Sequence, residues 1–282
     1  MDLSKLEIPE RKYKKIGKTK VAYRDMGTGY PVFCFPGWPA SSIAFVPLAN
    51  LLGDRFRLIA LDFPGWGGGT KTLSANSISQ FTVLAKKFVT SFGFDDFAFV
   101  GNSLGCLTML GLLPKIATKP QKIVFLSGFF RGRTLVENEH FSRLIRLYRL
   151  QTKIIKNRWL LKAELAVLLY FVMRAEKGYA QVKGSNVYKQ ATKEIKMLDP
   201  YSAVESVLSA GGVNFSIKKL NLPPTLIVYV GSEIDFVEKQ SEELAAKLGT
   251  ATHKLADASH SFVFFEPEKV SKLIADFLSS PP

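Results

Sequence analysis

The sequence predicts an α/β fold with a mostly parallel central sheet flanked by helices and interrupted by an all-helical insertion. Three observations predict it. Short apolar runs alternate with helical patterns in the first part of the chain, the same alternation returns at the end, and the segment between them has helical periodicity without a clear strand run. Alternating strands and helices are typical of a parallel sheet. A length of 282 residues suits one large domain or one domain with an insertion.

The first part of the predicted core covers residues 1–129. Its apolar runs are rich in β-branched and aromatic residues and stop at glycine, proline or serine, as expected of strands buried on both faces. The predicted strands are KVAYRDMG, YPVFCFPG, FRLIALDFPG, FAFVGNS and KIVFLSG. Helical patterns separate the later ones, in SISQFTVLAKKFVTSFG and LGCLTMLGLLPKIA.

The second part of the predicted core covers residues 221–282 and repeats the alternation. An apolar run, a helical pattern, a short strand and a final amphipathic helix follow one another. They are PTLIVYVGS, VEKQSEELAAKLG, THKLAD and EPEKVSKLIADFLSS. This order predicts two further strands and two further helices of the same sheet.

The predicted all-helical insertion covers residues 130–220. Apolar residues from Phe141 to Ile155 recur at helical spacing, and arginines and lysines fill the positions between them. Residues 131–220 carry 17 Lys/Arg against 7 Asp/Glu, which is most of the net charge of +14. We interpret the charge first as a solvated helix face. Weak contact with an anionic membrane surface is a second interpretation.

Other features limit the partners and the compartment. No nucleic-acid-binding motif accompanies the charge, so we expect no nucleic-acid partner. Cys34 and Cys106 lie in apolar or glycine-rich surroundings, outside any metal-binding pattern, and we expect buried thiols rather than a bridge between them.

The N-terminus lacks the apolar region of a secretory signal, and the longest strongly apolar stretch is too short to span a bilayer. We therefore expect a cytoplasmic protein.

The pentapeptide Gly101-Asn102-Ser103-Leu104-Gly105 is the candidate nucleophile site. It has the G-x-S-x-G spacing, in which small residues let a serine sit on a sharp turn between a strand and a helix. The predicted strand FAFV precedes it and the predicted helix LTMLGLL follows it. A tight turn with a solvated serine is the alternative if no partners for Ser103 exist.

A serine nucleophile needs a base, and the chain has three histidines. His140 lies in the predicted helical insertion and His253 in the predicted strand THKLAD. His260 follows that strand in a loop, where a side chain is free to reach a nucleophile. His260 is therefore the predicted base.

The base needs an acid that orients it. The loop after the strand TLIVYV offers Glu233 and Asp235, both at the end of a strand where open α/β sheets place their ligands. We predict Asp235 as the acid and keep Glu233 as the alternative.

An oxyanion needs two N–H donors. The residue after the nucleophile, Leu104, would supply one. The loop CFPGWPASS would supply the other through the N–H of Trp38, with Gly37 permitting the turn. A plain Pro-Gly turn with Trp38 in the core is the alternative.

Five motifs in this order resemble the α/β-hydrolase superfamily. They are FPGWPASS, LDFPGWGGGT, VGNSLG, PTLIVYVGSEIDFV and SHSFVFFEPEKVSKLIADFL, within residues 18–128 and 223–278. Pro36 stands where the family usually has histidine, and Ser259 stands where it usually has glycine before the catalytic histidine. The resemblance implies the triad Ser103, Asp235 and His260, a helical cap over the site, and no cofactor or metal.

The resemblance implies a serine hydrolase acting on carboxylic esters of small to medium apolar acids. A carbon–carbon bond hydrolase is an alternative, since GNSLG resembles the GNSMG elbow of meta-cleavage-product hydrolases. Lactonase and thioesterase activities use the same machinery. A haloalkane dehalogenase or an epoxide hydrolase would need aspartate at position 103. A non-catalytic binding protein with a basic cap is the alternative outside enzymes, and the oligomeric state stays open.

Overall fold

A computed structural model describes most of the chain. The described residues are 6–71, 73, 76–154, 157–216, 221–231 and 235–281. For five of them the side chains are left out of the description, namely residues 140, 141, 144, 145 and 152.

The sheet has eight strands in the order β1-β2-β4-β3-β5-β6-β7-β8. The strands β1 and β2 and the pair β2 and β4 are antiparallel, and every other neighbouring pair is parallel. The strands are β1 (Lys12–Ile16), β2 (Thr19–Met26), β3 (Tyr30–Phe35), β4 (Phe56–Leu61), β5 (Ala98–Asn102), β6 (Lys122–Leu126), β7 (Thr225–Val230) and β8 (Thr252–Leu255). The predicted mostly parallel α/β sheet is thereby confirmed.

Strand β1 is the one that the sequence prediction omitted. Its sequence, KYKKI, is mostly charged and exposed, so it lacks the apolar run that marks the buried strands. It lies at the edge of the sheet, where lysines block pairing with a further strand.

Helices cover both faces of the sheet. One face packs against α2 (Ile78–Thr90), α3 (Leu104–Leu112) and α10 (Asp235–Leu248). The other packs against α1 (Val46–Leu52), α11 (Phe262–Phe265) and α12 (Glu268–Ser279). Successive strand residues face opposite sides, so both sides need apolar residues, which explains the continuous apolar runs.

Between β6 and β7 the described residues form helices and connecting loops, with one isolated bridge between Arg131 and Asn214. Its helices are α4 (Arg133–Glu137), α5 (Glu139–Ile154), α6 (Arg158–Ala175), α7 (Tyr179–Val182), α8 (Asn186–Ile195) and α9 (Pro200–Ala210). We call these six helices the cap. The predicted domain limits at 129/130 and 220/221 stay a prediction, and residues 217–220 lie outside the described residues.

The parallel strands bring several loops to one edge of the sheet. The loops after β3, β5, β7 and β8 follow the carboxyl ends of their strands, where α/β sheets place their sites. These loops carry Trp38, Ser103, the predicted acids and His260. The topology therefore gathers the predicted residues at one end of the sheet.

Both cysteines are buried and form no disulfide. Burial raises the pKa of Cys34 and of Cys106, which keeps both as thiols. Because the thiolate is the reactive form, neither side chain is a candidate nucleophile.

Candidate active site

Ser103 lies on the turn between β5 and α3. Its backbone has a conformation that residues other than glycine rarely adopt. Its φ is 48° and its ψ is −120°. Its N–H donates to the carbonyl oxygen of Leu126 on β6 at 2.8 Å. This neighbouring strand helps to hold the positive φ of Ser103, and strained residues of this kind cluster at functional sites.

The glycines on either side of Ser103 permit this turn. A Cβ atom at Gly105 would meet the carbonyl oxygen of Phe35 and come 2.7 Å from that of Pro36. A Cβ atom at Gly101 would come 3.0–3.1 Å from Cys106 and Met109. The atoms that a Cβ at Gly105 would meet belong to the backbone at the end of β3, which cannot move aside as a side chain can. A larger residue at position 105 would therefore force helix α3 away from the sheet.

His260 contacts the hydroxyl of Ser103. The distance from its Nε2 to the Oγ of Ser103 is 2.9 Å, in the range of a hydrogen bond. Burial lowers the pKa of His260 to about 4, so the imidazole is uncharged at neutral pH. A neutral imidazole at this distance can accept the proton of the serine.

The residues beside His260 hold its loop in place. The Ser259 N–H donates to the carboxylate of Glu266 at 2.9 Å, and the Ser261 hydroxyl donates to Glu176 of the cap at 3.0 Å. Ser259 is fully buried. The loop that carries the base is thus tied to both the core and the cap.

The other two histidines are not brought to Ser103. His253 lies in β8, where it pairs with Val228 of β7. His140 lies in α5, and its side chain is outside the described part of the chain. Of the histidines whose side chains are described, His260 is the one within hydrogen-bond distance of Ser103.

The structure does not join Asp235 to His260. Asp235 is exposed at the start of α10, and among the described residues it forms neither a hydrogen bond nor an ion pair with His260. The alternative acid, Glu233, lies outside the described residues. The loop after the preceding strand β6 reads Ser-Gly-Phe-Phe and has no carboxylate. The loop after β7 remains the predicted source of the acid.

The loop after β3 passes close to the nucleophile. A Cβ atom at Gly37 would come 3.1 Å from the Cβ of Ser103 and 2.7 Å from the amide oxygen of Asn102. The indole N–H of Trp38 donates to the carbonyl oxygen of Ala203 in α9 at 2.9 Å. The side chain of Trp38 therefore ties this loop to the cap, and the loop passes beside Ser103 at Gly37.

Leu104 and Asn102 have distinct places next to the nucleophile. Leu104 is the first residue of α3, and the first N–H groups of a helix have no partner within the helix. The buried Asn102 donates through its side-chain amide to the carbonyl oxygen of Leu126 at 3.4 Å. Leu104 is thus available as an oxyanion donor, whereas Asn102 binds the neighbouring strand.

A cavity of about 540 Å³ lies above Ser103 and His260. Its walls are mostly apolar. They include Leu168 and Leu169 of α6, Val207 of α9 and Phe236 of α10. Cap helices therefore form part of the wall, and an apolar group would leave water on entering.

A buried charge cluster lies at the base of the cap. Glu194 of α8 is 1% exposed and pairs with Arg24 of β2 and with Arg11, the latter at 2.7 Å. Glu194 also accepts from the hydroxyl of Ser41, in the loop after β3. Arg11 pairs in turn with Asp62 at 2.7 Å. The cluster joins the cap, the sheet and the loop beside the nucleophile.

The pKa values of the two buried acids, Glu194 and Asp62, shift in opposite directions in this cluster. Burial works to raise the pKa of Glu194, but the charges and hydrogen bonds of Arg24, Arg11 and Ser41 outweigh it, so its pKa is lowered. Burial raises the pKa of Asp62, opposed by Arg11 and by hydrogen bonds from Ser42. The sequence did not reveal this cluster, because Arg24 stands beside Asp25 and near Lys20 in β2, and nothing in that pattern marks its side chain as buried.

The described residues offer neither a metal site nor a membrane-spanning helix. No group of three or more histidine, cysteine or acidic side chains in those ranges could hold a metal ion. Within the same part of the chain, no helix is long and apolar enough to cross a membrane.

The chain was compared with known proteins. The model of the family described as "Alpha/beta hydrolase family" matches residues 32–273. Among curated proteins, Haloalkane dehalogenase 2 of Mycobacterium tuberculosis is 23% identical over 137 residues, which are 48% of this chain and 48% of that protein. The chain thus spans about half the length of the curated relatives that it matches.

Solved structures share the fold over nearly the whole chain. An esterase from Exiguobacterium antarcticum has a TM-score of 0.76 at 15% identity, covering 97% of this chain and 100% of that one. An enol-lactonase from Burkholderia xenovorans has a TM-score of 0.76 at 16% identity, covering 95% and 100%. An epoxide hydrolase from Bacillus megaterium reaches 0.76 at 14% identity, also covering 95% and 100%. At these identities the likeness is one of fold.

Proposed function

Because the chain belongs to the alpha/beta hydrolase family, we propose that it is a serine hydrolase that cleaves carboxylic esters of small to medium apolar acids. The observation that carries the proposal is the 2.9 Å contact between Ser103 and His260 at the floor of an apolar cavity. A serine hydroxyl beside a neutral imidazole is the pair that acyl transfer requires.

The proposed reaction begins with attack of the Ser103 oxygen on the ester carbonyl. His260 takes the hydroxyl proton and then returns it to the departing alcohol. The N–H groups of Leu104 and Trp38 stabilise the tetrahedral oxyanion. Water, activated by His260, then cleaves the acyl-enzyme and frees Ser103.

For the acid we propose Glu233 ahead of Asp235. Asp235 is exposed at the start of α10 and makes no hydrogen bond to His260, which disfavours it. Glu233 follows β7 by three residues and is the other carboxylate of that loop. A carboxylate there would orient His260 and stabilise its cation.

The serine at position 103 argues against two activities that similar proteins have. The resemblance places aspartate at the nucleophile position of haloalkane dehalogenases and epoxide hydrolases, whereas this chain has Ser103. We therefore do not extend those activities to it. Lactones, thioesters and carbon–carbon substrates remain within reach of the same residues, and the test includes a lactone and a dienone-type substrate.

A series of nitrophenyl esters of increasing acyl length tests the proposal. We expect kcat/KM to rise about fourfold with each CH2 until the cavity is filled, since each buried CH2 contributes about 0.8 kcal/mol. The Ser103→Ala variant is the control and should lose this activity. If a lactone or a dienone-type substrate is turned over and no ester is, the ester proposal is wrong. If none reacts, the chain is a binding protein.

A further inference from the structure

The longest cap helix is apolar on two opposite sides. One side of α6 is buried through Leu161, Leu165 and Leu169. The other side exposes Trp159 (75%) and Phe171 (62%), with further apolar residues between them. A helix that is apolar all round is normally covered on all sides. The exposed side of α6 therefore indicates a partner that covers it.

Helix α5 extends this exposed surface. Leu147, Leu150 and Ile154 recur three and four residues apart, so they share one face of α5, and each is more than half exposed. We define the cap patch as the exposed apolar side chains of the two helices. They are Leu147, Leu150, Ile154, Trp159, Leu160, Val167, Tyr170, Phe171 and Val172.

The cap patch lies in a strongly basic segment. Residues 139–175 carry eight Lys/Arg and two acidic residues. Arg146 and Lys153 are exposed on α5 beside the apolar stripe, and one of the two acids, Glu139, pairs with Arg143. Apolar residues flanked by positive charge are typical of helices that lie in the surface of an anionic membrane.

The cap patch and the catalytic cavity share helix α6. Leu168, Leu169 and Val172 of this helix line the cavity. Val172 is also 48% exposed, although it lies three residues after the buried Leu169 and so on the cavity side of the helix. One helix therefore carries both the outer apolar surface and part of the wall above Ser103.

We propose that the cap patch docks on the surface of an anionic phospholipid membrane. The apolar side chains enter the boundary between headgroups and acyl chains, and the surrounding lysines and arginines bind the lipid phosphates. Docking places α6, and with it the cavity above Ser103, beside the lipid that would hold apolar esters. A second copy of the chain is the less favourable occupant, because a symmetric contact would bring like charges together.

Vesicle flotation with the Ser103→Ala variant tests the docking without hydrolysis of lipid. We expect this protein to float with vesicles of phosphatidylglycerol and phosphatidylcholine, and at least tenfold less with phosphatidylcholine alone. Binding should weaken as the salt concentration rises from 0.1 M to 1 M, because the Debye length falls from about 10 Å to about 3 Å.

Variants of the cap patch separate its charge from its apolar residues. Replacing Arg146 and Lys153 by glutamine should weaken binding about 25-fold, about fivefold for each charge. Trp159→Ser with Phe171→Ser should weaken it by about tenfold or more, since two large apolar side chains no longer leave water. The controls lie on α2, outside the cap patch. Lys86→Gln with Lys87→Gln removes two exposed charges, and Val83→Ser removes an apolar side chain that is 43% exposed. The controls should bind as the parent protein does.

Three results would overturn the proposal. The first is an absence of flotation with the anionic vesicles at either salt concentration. The second is an equal loss of binding in the control and the cap-patch variants. The third is a dimer in size-exclusion chromatography that the Phe171 substitution dissociates while flotation is absent, which would show that a second copy covers the patch. Because docking is measured without Ser103, its failure is distinguishable from failure of the proposed hydrolysis, which the ester assay measures.

Discussion

The carboxylate of Glu194 lies between two arginine side chains of the core and is the centre of the buried cluster below the cap. Arg24 and Arg11 both pair with it, and Arg24 is as buried as Glu194 itself. The substitution Glu194→Gln keeps the size of the side chain and removes its charge. It leaves the buried guanidinium of Arg24 without its acidic partner, whereas Arg11 keeps its pair with Asp62.

Removal of one partner from a buried ion pair costs about 3–5 kcal/mol, because the remaining charge stays out of water without compensation. We expect the free energy of unfolding of Glu194→Gln to fall by this amount. Because the sheet, the cap and the loop with Ser41 all contact this carboxylate, the substitution should destabilise the whole fold and not one helix alone.

Urea unfolding measures the effect, as a lower midpoint at an unchanged slope. The matched control is Glu243→Gln, which removes the partner of Arg131 at the surface, where both side chains are about half exposed. Exposed pairs contribute about 0–1 kcal/mol, so the control should lose less than 1 kcal/mol. An equal small loss in both variants would refute the role assigned to Glu194.

The pH dependence of stability tests the same pairing of Glu194 with the two arginines. The pKa of Glu194 is lower in the folded protein than its ordinary value of 4.5. Its charge therefore stabilises the fold above the unfolded pKa, and the contribution is lost as the pH falls through the folded pKa. The difference in stability between the wild type and Glu194→Gln should be largest near neutral pH and shrink in acid.

Two further predictions concern the site itself. Glu233→Gln should lower kcat about 10³–10⁴-fold. It should also move the acid limb of kcat/KM to lower pH, because the imidazolium of His260 loses a stabilising negative charge while burial continues to lower its pKa. Asp235→Asn should leave kcat within about twofold and the acid limb in place. A profile in which only Asp235→Asn carries the loss would reverse the assignment. Gly105→Ala should destabilise the protein by about 3 kcal/mol or more, since the added carbon meets the backbone of Phe35. Gly212→Ala, where a Cβ would have an ordinary contact of 3.5 Å, is the control and should change stability by less than about 1 kcal/mol; equal effects in urea unfolding would contradict the steric argument.

Much of the fold could be predicted because its determinants are local in sequence. Each buried parallel strand is a short apolar run, and the turn at Ser103 needs small residues at fixed spacing. The meeting of Ser103 and His260 followed from the order of strands, since the carboxyl ends of parallel strands share one edge. The exposed strand β1 was not predicted, because its lysines carry no apolar pattern.

The buried cluster could not be predicted, because its members are far apart in the sequence. Arg24 and Glu194 are separated by 170 residues, and a charged residue in a sequence does not show whether it is buried. The choice between Glu233 and Asp235 was equally out of reach, since the two carboxylates are only two positions apart in the sequence. The exposed apolar side of α6 could not be predicted for another reason. Apolar residues on two opposite sides of a helix give no periodicity that distinguishes its inner face from its outer face.

Labelling with a fluorophosphonate, followed by intact-mass and peptide mass spectrometry, tests the central claim most directly. The reagent reacts with a serine that a neighbouring base activates, so it reports the pair of Ser103 and His260 without a chosen substrate. We predict one adduct, on Ser103, absent from Ser103→Ala and at least about 10³-fold slower to form in His260→Ala. An unlabelled wild-type protein, or an adduct on another residue, would contradict the account.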